Sequence, residues 1–286
     1  MSNGPDSALL QVRHVTGFNY DGMADSSYNE ARMTPVASPH QEVVDASLRV
    51  TPGAVQSTYR DYFGTIVTTF DLHEPHDRLE VVALATIKTF DDLRDIDPLS
   101  LSELHTPHVR DEFAEYLAPT ARTRIDASVL EELRAMDIAR EDVAGTARAV
   151  VDWVRERVAY VRGATLVSST AQEVWEEQKG VCQDLTHVTI SLLRGIGIPA
   201  RYVSGYLHSK PDALIGETIV GESHAWVEFF CGAWLGIDPT NAESIGVHHV
   251  IVAKGREYGD VPPLKGIYRG GPSSALGVIV EVTRLA

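Results

Sequence analysis

Two cysteines occur in the 286-residue sequence, Cys182 and Cys231, and their surroundings differ. Cys182 stands in the run Gly180–Asp184, where a glycine permits a sharp turn before an apolar pattern with helical spacing. This run predicts that Cys182 lies in the first turn of a helix, where oriented N–H groups favour the thiolate. The thiolate is the nucleophilic form of cysteine, so Cys182 is the candidate nucleophile. Taken alone, it could also be a buried and inert cysteine.

A histidine and an aspartate are spaced to assist such a nucleophile. Residues 221–228 and 234–240 both have the pattern of strands, and the short connection between them predicts a β-hairpin. A turn centred on Cys231 places His224 directly opposite Asp238, with Cβ atoms about 5 Å apart. Asp238 would then accept a hydrogen bond from one imidazole nitrogen, while the other nitrogen faces the thiol. A register shifted by one residue would separate the two side chains.

Three blocks containing these residues resemble the transglutaminase-like superfamily, namely Gly180–Asp184, Ser223–Glu228 and Gly236–Thr240. The linking residues 197–206 are similar to the same family, and the resemblance runs from about residue 145 to residue 270. It implies a papain-like α+β core. It also implies that Cys182 is the nucleophile, His224 its base and Asp238 the group that orients the base.

Further segments are similar to bacterial members of this superfamily, the transglutaminase-like cysteine protease group. Residues 14–20 and 31–35 resemble the β-domain that precedes the core in that group, and residues 255–266 resemble one of its later segments. For residues 255–266, a contact with substrate and an ordinary proline-rich loop both remain open.

The length and the pattern of elements predict two units. Four segments rich in β-branched and aromatic residues predict an antiparallel β-sandwich-like domain, at residues 10–20, 42–51, 58–72 and 79–90. The acidic stretch 91–97 predicts an exposed connection. We therefore expect a β-rich domain over residues 1–100 and a catalytic domain over residues 101–286, since single cores rarely grow to this length.

The second unit is predicted to combine helices with a second sheet. Residues 109–157 have a largely helical pattern, and residues 171–178 predict a helix capped by Thr170 and Glu173. The helix that starts at Cys182 should end near Gly195. Five segments predict the strands of this sheet, at residues 201–207, 224–230, 234–238, 250–253 and 278–285.

Composition and charge exclude several classes of function. The net charge of −15 disfavours nucleic acid, and no apolar run reaches the roughly 18 residues of a membrane span. The sequence starts without a secretory pattern, and two cysteines are too few for a disulfide scaffold. We expect a cytoplasmic protein whose partner is a protein or peptide substrate.

No cofactor or metal is predicted. Phosphate-binding and dinucleotide-binding glycine patterns are absent from the sequence. Three histidine pairs lack acidic or cysteine ligands at a matching spacing, namely His73 and His76, His105 and His108, and His248 and His249. Asp184 is predicted to be a favourable charge at the helix N-terminus, with a substrate contact as the alternative. Gln178 is a candidate donor to an oxyanion, beside the N–H of Cys182.

These residues predict a cysteine-dependent amide-bond hydrolase, a protease or amidase that forms a thioester. A primary amine in place of water would give a transamidase, and a non-catalytic protein-binding module is the other alternative. The predicted hairpin register places Trp226 over Gly236 and Trp234 beside Glu228, as ordinary cross-strand packing. No feature therefore requires a shielded amine site, and hydrolysis is the expected reaction.

Overall fold

The computed structural model describes residues 7–91, 96–136, 138 and 142–286. It has an α+β architecture, as predicted, with a nine-stranded and a five-stranded antiparallel sheet. The strands are β1 (Ser7–Thr34), β2 (Gln41–Thr51), β3 (Gln56–Arg60), β4 (Ile66–Leu72), β5 (His76–Phe90), β6 (Ala159–Tyr160), β7 (Lys179–Gly180), β8 (Ala200–Leu207), β9 (Thr218–Gly221), β10 (His224–Phe230), β11 (Trp234–Asp238), β12 (Glu243–Ser244), β13 (His249–Gly255), β14 (Leu264–Gly270), β15 (Ser273–Ala275) and β16 (Ile279–Arg284). The helices are α1 (Leu101–Leu104), α2 (Pro107–Glu112), α3 (Ala114–Leu117), α4 (Ala127–Ala135), α5 (Val143–Arg157), α6 (Ala171–Glu177) and α7 (Cys182–Gly195).

The nine-stranded sheet is built around β1, which is 28 residues long. The first half of β1 pairs with β5 and the second half with β4, so one strand serves two parts of the sheet. Buried Met33, Phe70 and Leu79 belong to a separate apolar core here. The antiparallel N-terminal sheet is thus confirmed, although the single strand predicted over residues 58–72 is divided. A turn that holds Asp61 and Gly64 separates β3 from β4.

The last strand corrects one prediction. Residues 278–285 were expected in the second sheet, but β16 pairs with β1, placing Leu10 opposite Arg284 and Val15 opposite Ile279. Alternating buried valines on β16 identify a strand but not its partner, so sequence could not decide this. The boundary at residue 100 stays a prediction. Residues 92–95 of the expected acidic connection lie outside the described residues.

The five-stranded sheet has the order β12, β11, β10, β8, β13, and α7 packs against it. The helix is almost wholly buried, which explains its apolar face of Leu185, Val188 and Leu192. The capping box of α6 is confirmed, since Thr170 and Glu173 each accept the other's backbone N–H. No helix within the described residues is long and apolar enough to cross a membrane.

Candidate active site

Cys182 is the first residue of α7, as the sequence predicted. The approach to the helix is tight, because a Cβ on Gly180 would come within 2.7 Å of the Cβ of Asp184. Asp184 accepts hydrogen bonds from the Val181 N–H at 2.8 Å and the Thr165 hydroxyl at 2.6 Å. Asp184 is buried, and burial raises its pKa against these hydrogen bonds. Its observed contacts fix the turn into α7, and it does not line the cleft described below.

His224 and Asp238 are brought together by the hairpin of β10 and β11. The Nε2 atom of His224 lies 2.7 Å from Oδ2 of Asp238. The predicted register was wrong by two residues, however, since Val227 faces Ile237 and the turn is centred on Gly232. A shift of two residues keeps every side chain on its original face of the sheet, so the pair meets diagonally.

The turn explains this register. It contains three residues, and Gly232 has a φ of 103°, a conformation that favours glycine. The N–H of Cys231 donates to the carbonyl of Ala233 at 3.0 Å, which closes the turn. Cys231 is fully buried in the apolar core, whereas Cys182 is partly exposed.

His224 is held in its charged form by its neighbours. Burial of the ring lowers its pKa, but hydrogen bonds with Asp238 and Cys182 and the charges of both groups raise it to about 10. Nε2 contacts the Asp238 carboxylate, and the Cys182 thiol is close enough to the ring to affect its pKa. An imidazolium next to a cysteine favours the thiolate form.

Asp238 is fully buried, and donors surround its carboxylate. Its Oδ1 accepts the backbone N–H groups of Thr240 at 2.8 Å and Asn241 at 3.3 Å. Its Oδ2 contacts the Asn241 amide at 2.8 Å, His224 at 2.7 Å and His249 at 3.4 Å. Burial alone would raise the pKa of Asp238. The hydrogen bonds and charges of both histidines instead hold it well below its ordinary value.

His249 is a site residue that sequence reasoning missed. It begins β13, and its Nδ1 accepts the backbone N–H of Gly246 at 3.4 Å, which leaves Nε2 to donate to Asp238. The ring also packs edge-on against Trp226. In the sequence, His249 is only one of two adjacent histidines. The pairing of β13 with β8 is what places it beside Asp238.

His224, Asp238 and His249 also offer ligand atoms of the types that bind metals, all within 4.8 Å of one another. Both imidazole Nε2 atoms approach the same carboxylate oxygen, at 2.7 and 3.4 Å. The first distance is that of a close hydrogen bond and the second that of a longer one, and both donors converge on one acceptor. The cluster is therefore explained by its hydrogen bonds.

A cleft of about 630 Å³ opens beside Cys182 and His224. Elements of both sheets form its walls. Its lining includes Tyr160, Arg162, Val181, Leu207, Ser209, Ile219, Val220, Gly221, Glu222, Ser223, Thr240, Asn241, Val278, Ile279, Val280 and Val282. The partly exposed thiol and the imidazole thus face a space large enough for a substrate.

Other candidates from the sequence lie away from this cleft. Gln178 ends α6 with a left-handed φ of 55°, is exposed, and is not among the residues that line the cleft. In residues 255–266, Glu257 binds Arg122 at 2.7 Å, and the Tyr258 N–H donates to His187 on α7 at 3.1 Å. This segment packs behind the nucleophile's helix, and those contacts are structural.

Comparisons with known proteins agree with this fold. Residues 10–88 match the bacterial transglutaminase-like N-terminal region, and residues 134–239 match the transglutaminase-like superfamily. Uncharacterized protein ML0607 of Mycobacterium leprae (strain TN) is 40% identical over 280 residues, which cover 97% of this chain and 99% of the relative. The chain belongs to the transglutaminase-like superfamily. Membership supports a general class of cysteine-dependent hydrolases or transamidases.

Two further similarities extend over nearly the whole transglutaminase-like chain. Uncharacterized protein Rv2569c of Mycobacterium tuberculosis (strain ATCC 25618 / H37Rv) is 31% identical, with 95% of this chain and 91% of the relative covered. The crystal structure of "a Putative Cysteine Protease from Cytophaga hutchinsonii" is 22% identical, with a TM-score of 0.78 over 99% of this chain and 92% of that one. The structural similarity shows the fold, including the N-terminal sheet.

Proposed function

We propose that this protein hydrolyses amide bonds of a protein or peptide substrate, with Cys182 as nucleophile, His224 as base and Asp238 as the residue that orients the base. The observation that carries the proposal is the position of His224. Its Nε2 lies 2.7 Å from Asp238, and the Cys182 thiol, which lines the same cleft, is close enough to help raise the pKa of its ring. A nucleophile, a base and an orienting carboxylate in this order perform acyl transfer on unrelated folds.

The proposed reaction has two steps. The Cys182 thiolate attacks the amide carbonyl, the C–N bond breaks as His224 gives its proton to the departing amine, and a thioester forms. His224 then takes a proton from water. The hydroxide attacks the thioester, the C–S bond breaks, and the acid leaves. Asp238 holds the imidazole in one orientation and stabilises its positive charge in both steps.

The backbone N–H of Cys182 is the proposed donor to the oxyanion. The first N–H groups of a helix have no acceptor within that helix, so they remain available to a negative oxygen. The position of Cys182 at the start of α7 supports this role.

Hydrolysis is favoured over transamidation by the surroundings of two tryptophans. A transamidase must protect its thioester from water, and a tryptophan ring placed over the thioester would be one means. Trp226 is fully buried beneath the site, and Trp234 packs against Phe113 and Phe230. Neither ring lines the cleft. The predicted placements of Trp226 over Gly236 and Trp234 beside Glu228 were wrong in detail, but these rings still serve packing.

The test uses a library of short peptides, incubated with the protein in ¹⁸O-labelled water and a deuterated primary amine. Mass spectrometry then separates new acids carrying ¹⁸O from amine adducts. We expect mainly labelled acids, and no product from Cys182→Ala. Adducts that dominate at millimolar amine would establish transamidation instead. Equal product from wild type and Cys182→Ala, or none from either, would contradict catalysis by Cys182 and favour a binding module.

A further inference from the structure

Strand β9 links the N-terminal sheet directly to the catalytic hairpin. It pairs with β16 at the end of the nine-stranded sheet, with Val220 opposite Glu281 and Gly221 opposite Val280. Only two residues separate Gly221 from His224, which begins β10 in the other sheet. The edge strand of the nine-stranded sheet therefore leads directly to His224, the proposed catalytic base.

The outer edge of β9 is available to another strand. Among the described residues, β9 pairs with β16 alone. Such an edge presents a row of backbone N–H and C=O groups that can pair with an extended chain. Residues 219–223 line the cleft that contains Cys182. A peptide added to this edge would therefore lie along the cleft and approach the thiol.

The walls beside this edge are apolar. Val280 and Val282 line the cleft and are buried, and Val220, which also lines it, is 67% exposed. Tyr160, which also lines the cleft, is 47% exposed. The chain has a net charge of −15, yet these exposed side chains at the cleft are apolar. Such a patch indicates a surface that binds apolar groups of a ligand.

Charged side chains add no preference for a charged substrate. Among the described residues that line the cleft, Arg162 and Glu222 are the two with lysine, arginine, aspartate or glutamate side chains. Their opposite charges offset each other. Both side chains are exposed, where water screens them. Recognition at this surface therefore depends on backbone pairing and apolar contact.

We propose that the substrate is an extended, uncharged peptide with apolar side chains, which pairs with the edge of β9 and covers Val220 and Tyr160. This inference rests on the proposed function, because it assigns the substrate class of the same cleft. The substrate class depends on the edge of β9, whereas the proposed reaction depends on Cys182, His224 and Asp238.

The experiment compares the rates at which three peptide probes modify Cys182. Each is a four-residue acyloxymethyl ketone, with the sequence Val-Leu-Val-Ala, the sequence Glu-Ser-Glu-Ala, or the apolar sequence with methylated backbone nitrogens. Iodoacetamide, which needs no recognition, measures the reactivity of the thiol itself. We expect the apolar probe to react at least about tenfold faster than the acidic and the methylated probes, the ratio expected for burying one apolar side chain.

Two matched variants place this selectivity on β9. Val220→Asp puts a charge on the proposed surface, whereas Val44→Asp makes the same change at a 59% exposed valine on β2, at the opposite end of the sheet order. The apolar-probe rate, divided by the iodoacetamide rate of the same protein, should fall at least about tenfold in Val220→Asp. It should stay within about twofold of wild type in Val44→Asp, as expected for an exposed position.

The two hypotheses fail in different ways. Equal rates for the apolar and acidic probes, with rapid iodoacetamide labelling of Cys182, would overturn the substrate class and leave the proposed reaction standing. Equal losses in Val220→Asp and Val44→Asp would also overturn the role of β9. Iodoacetamide labelling of Cys182 no faster than that of a free cysteine would contradict the proposed function and this inference with it.

Discussion

The Nε2 atom of His249 lies 3.4 Å from Oδ2 of Asp238, the oxygen that His224 approaches to 2.7 Å. The two histidines come from different strands of the five-stranded sheet, β13 and β10. Thr240 and Asn241 donate to the same carboxylate, so His249 is one of several donors that together orient Asp238. The orientation of His224 thus depends on a residue outside the hairpin.

This contact predicts that His249 is a positioning residue. In His249→Ala, Asp238 loses a donor and His224 is held less firmly, so iodoacetamide should label Cys182 about fivefold more slowly at neutral pH, as for about 1 kcal/mol of lost hydrogen bonding. The pH profile of labelling should also move to higher pH, because an imidazolium that is held less firmly beside the thiol stabilises the thiolate less.

Two further variants separate this role from simple packing. His249→Gln keeps an N–H donor and should recover most of the labelling rate. His248→Ala removes the neighbouring, partly buried histidine and should leave the pH profile where it was. If His249→Ala unfolds at a lower temperature but labels Cys182 with the wild-type profile, His249 has only a packing role.

Asp238→Asn should fold but lose nearly all turnover. The new amide can accept the backbone N–H groups of Thr240 and Asn241 with its oxygen. Its NH₂ group then faces His224 and stabilises the wrong tautomer, which in comparable triads costs roughly 10⁴-fold in rate. The measurement is product formation from the peptide library, with circular dichroism to confirm folding. A folded variant with activity near wild type would remove Asp238 from the proposed mechanism.

The sequence predicted the local features of the site better than its long-range ones. The helix start at Cys182 follows from Gly180 and the apolar spacing beyond it, and this prediction is confirmed. The predicted contact of His224 with Asp238 is present although the predicted hairpin register was wrong by two residues. A shift of two residues leaves each side chain on the same face of the sheet. His249 could not be predicted, since the pairing of β13 with β8 places it beside Asp238.

The N-terminal sheet shows the same limit. Alternating apolar residues identified most of its strands, but nothing local shows that β9 and β16 from the second half of the chain complete it. Pairing partners far apart in sequence are selected by the whole fold. The cleft wall at Val220 therefore emerged only from the structure.

The two cysteines should differ strongly in reactivity. Cys182 is partly exposed and next to a charged His224, whereas Cys231 is fully buried in the core. Limiting iodoacetamide under native conditions should therefore modify Cys182 first, by about tenfold or more. Peptide mapping by mass spectrometry measures both sites in one sample, and unfolding in guanidinium should equalise them. Preferential labelling of Cys231 in the native protein would contradict an activated Cys182.

The charge on His224 also predicts how stability changes with pH. Its pKa in the folded protein is about 10, above the ordinary value of 6.5, so folding favours the protonated form. The resulting stabilisation is fully present below about pH 6.5 and disappears as the pH rises through about 10. Asp238 remains ionised throughout this range, because its pKa lies well below its ordinary value.

The measurement is the midpoint of thermal unfolding of wild type and His224→Gln, from about pH 6 to about pH 10.5. Wild type should exceed His224→Gln by the largest margin near pH 6, by at least about 2 °C, since about 1 kcal/mol moves the midpoint by that much in a chain of this size. The margin should shrink steadily toward pH 10. His73→Gln, which removes an exposed imidazole, controls for the general effect of losing a histidine. A margin that stays constant or widens with rising pH would show that the charged imidazole does not stabilise the fold.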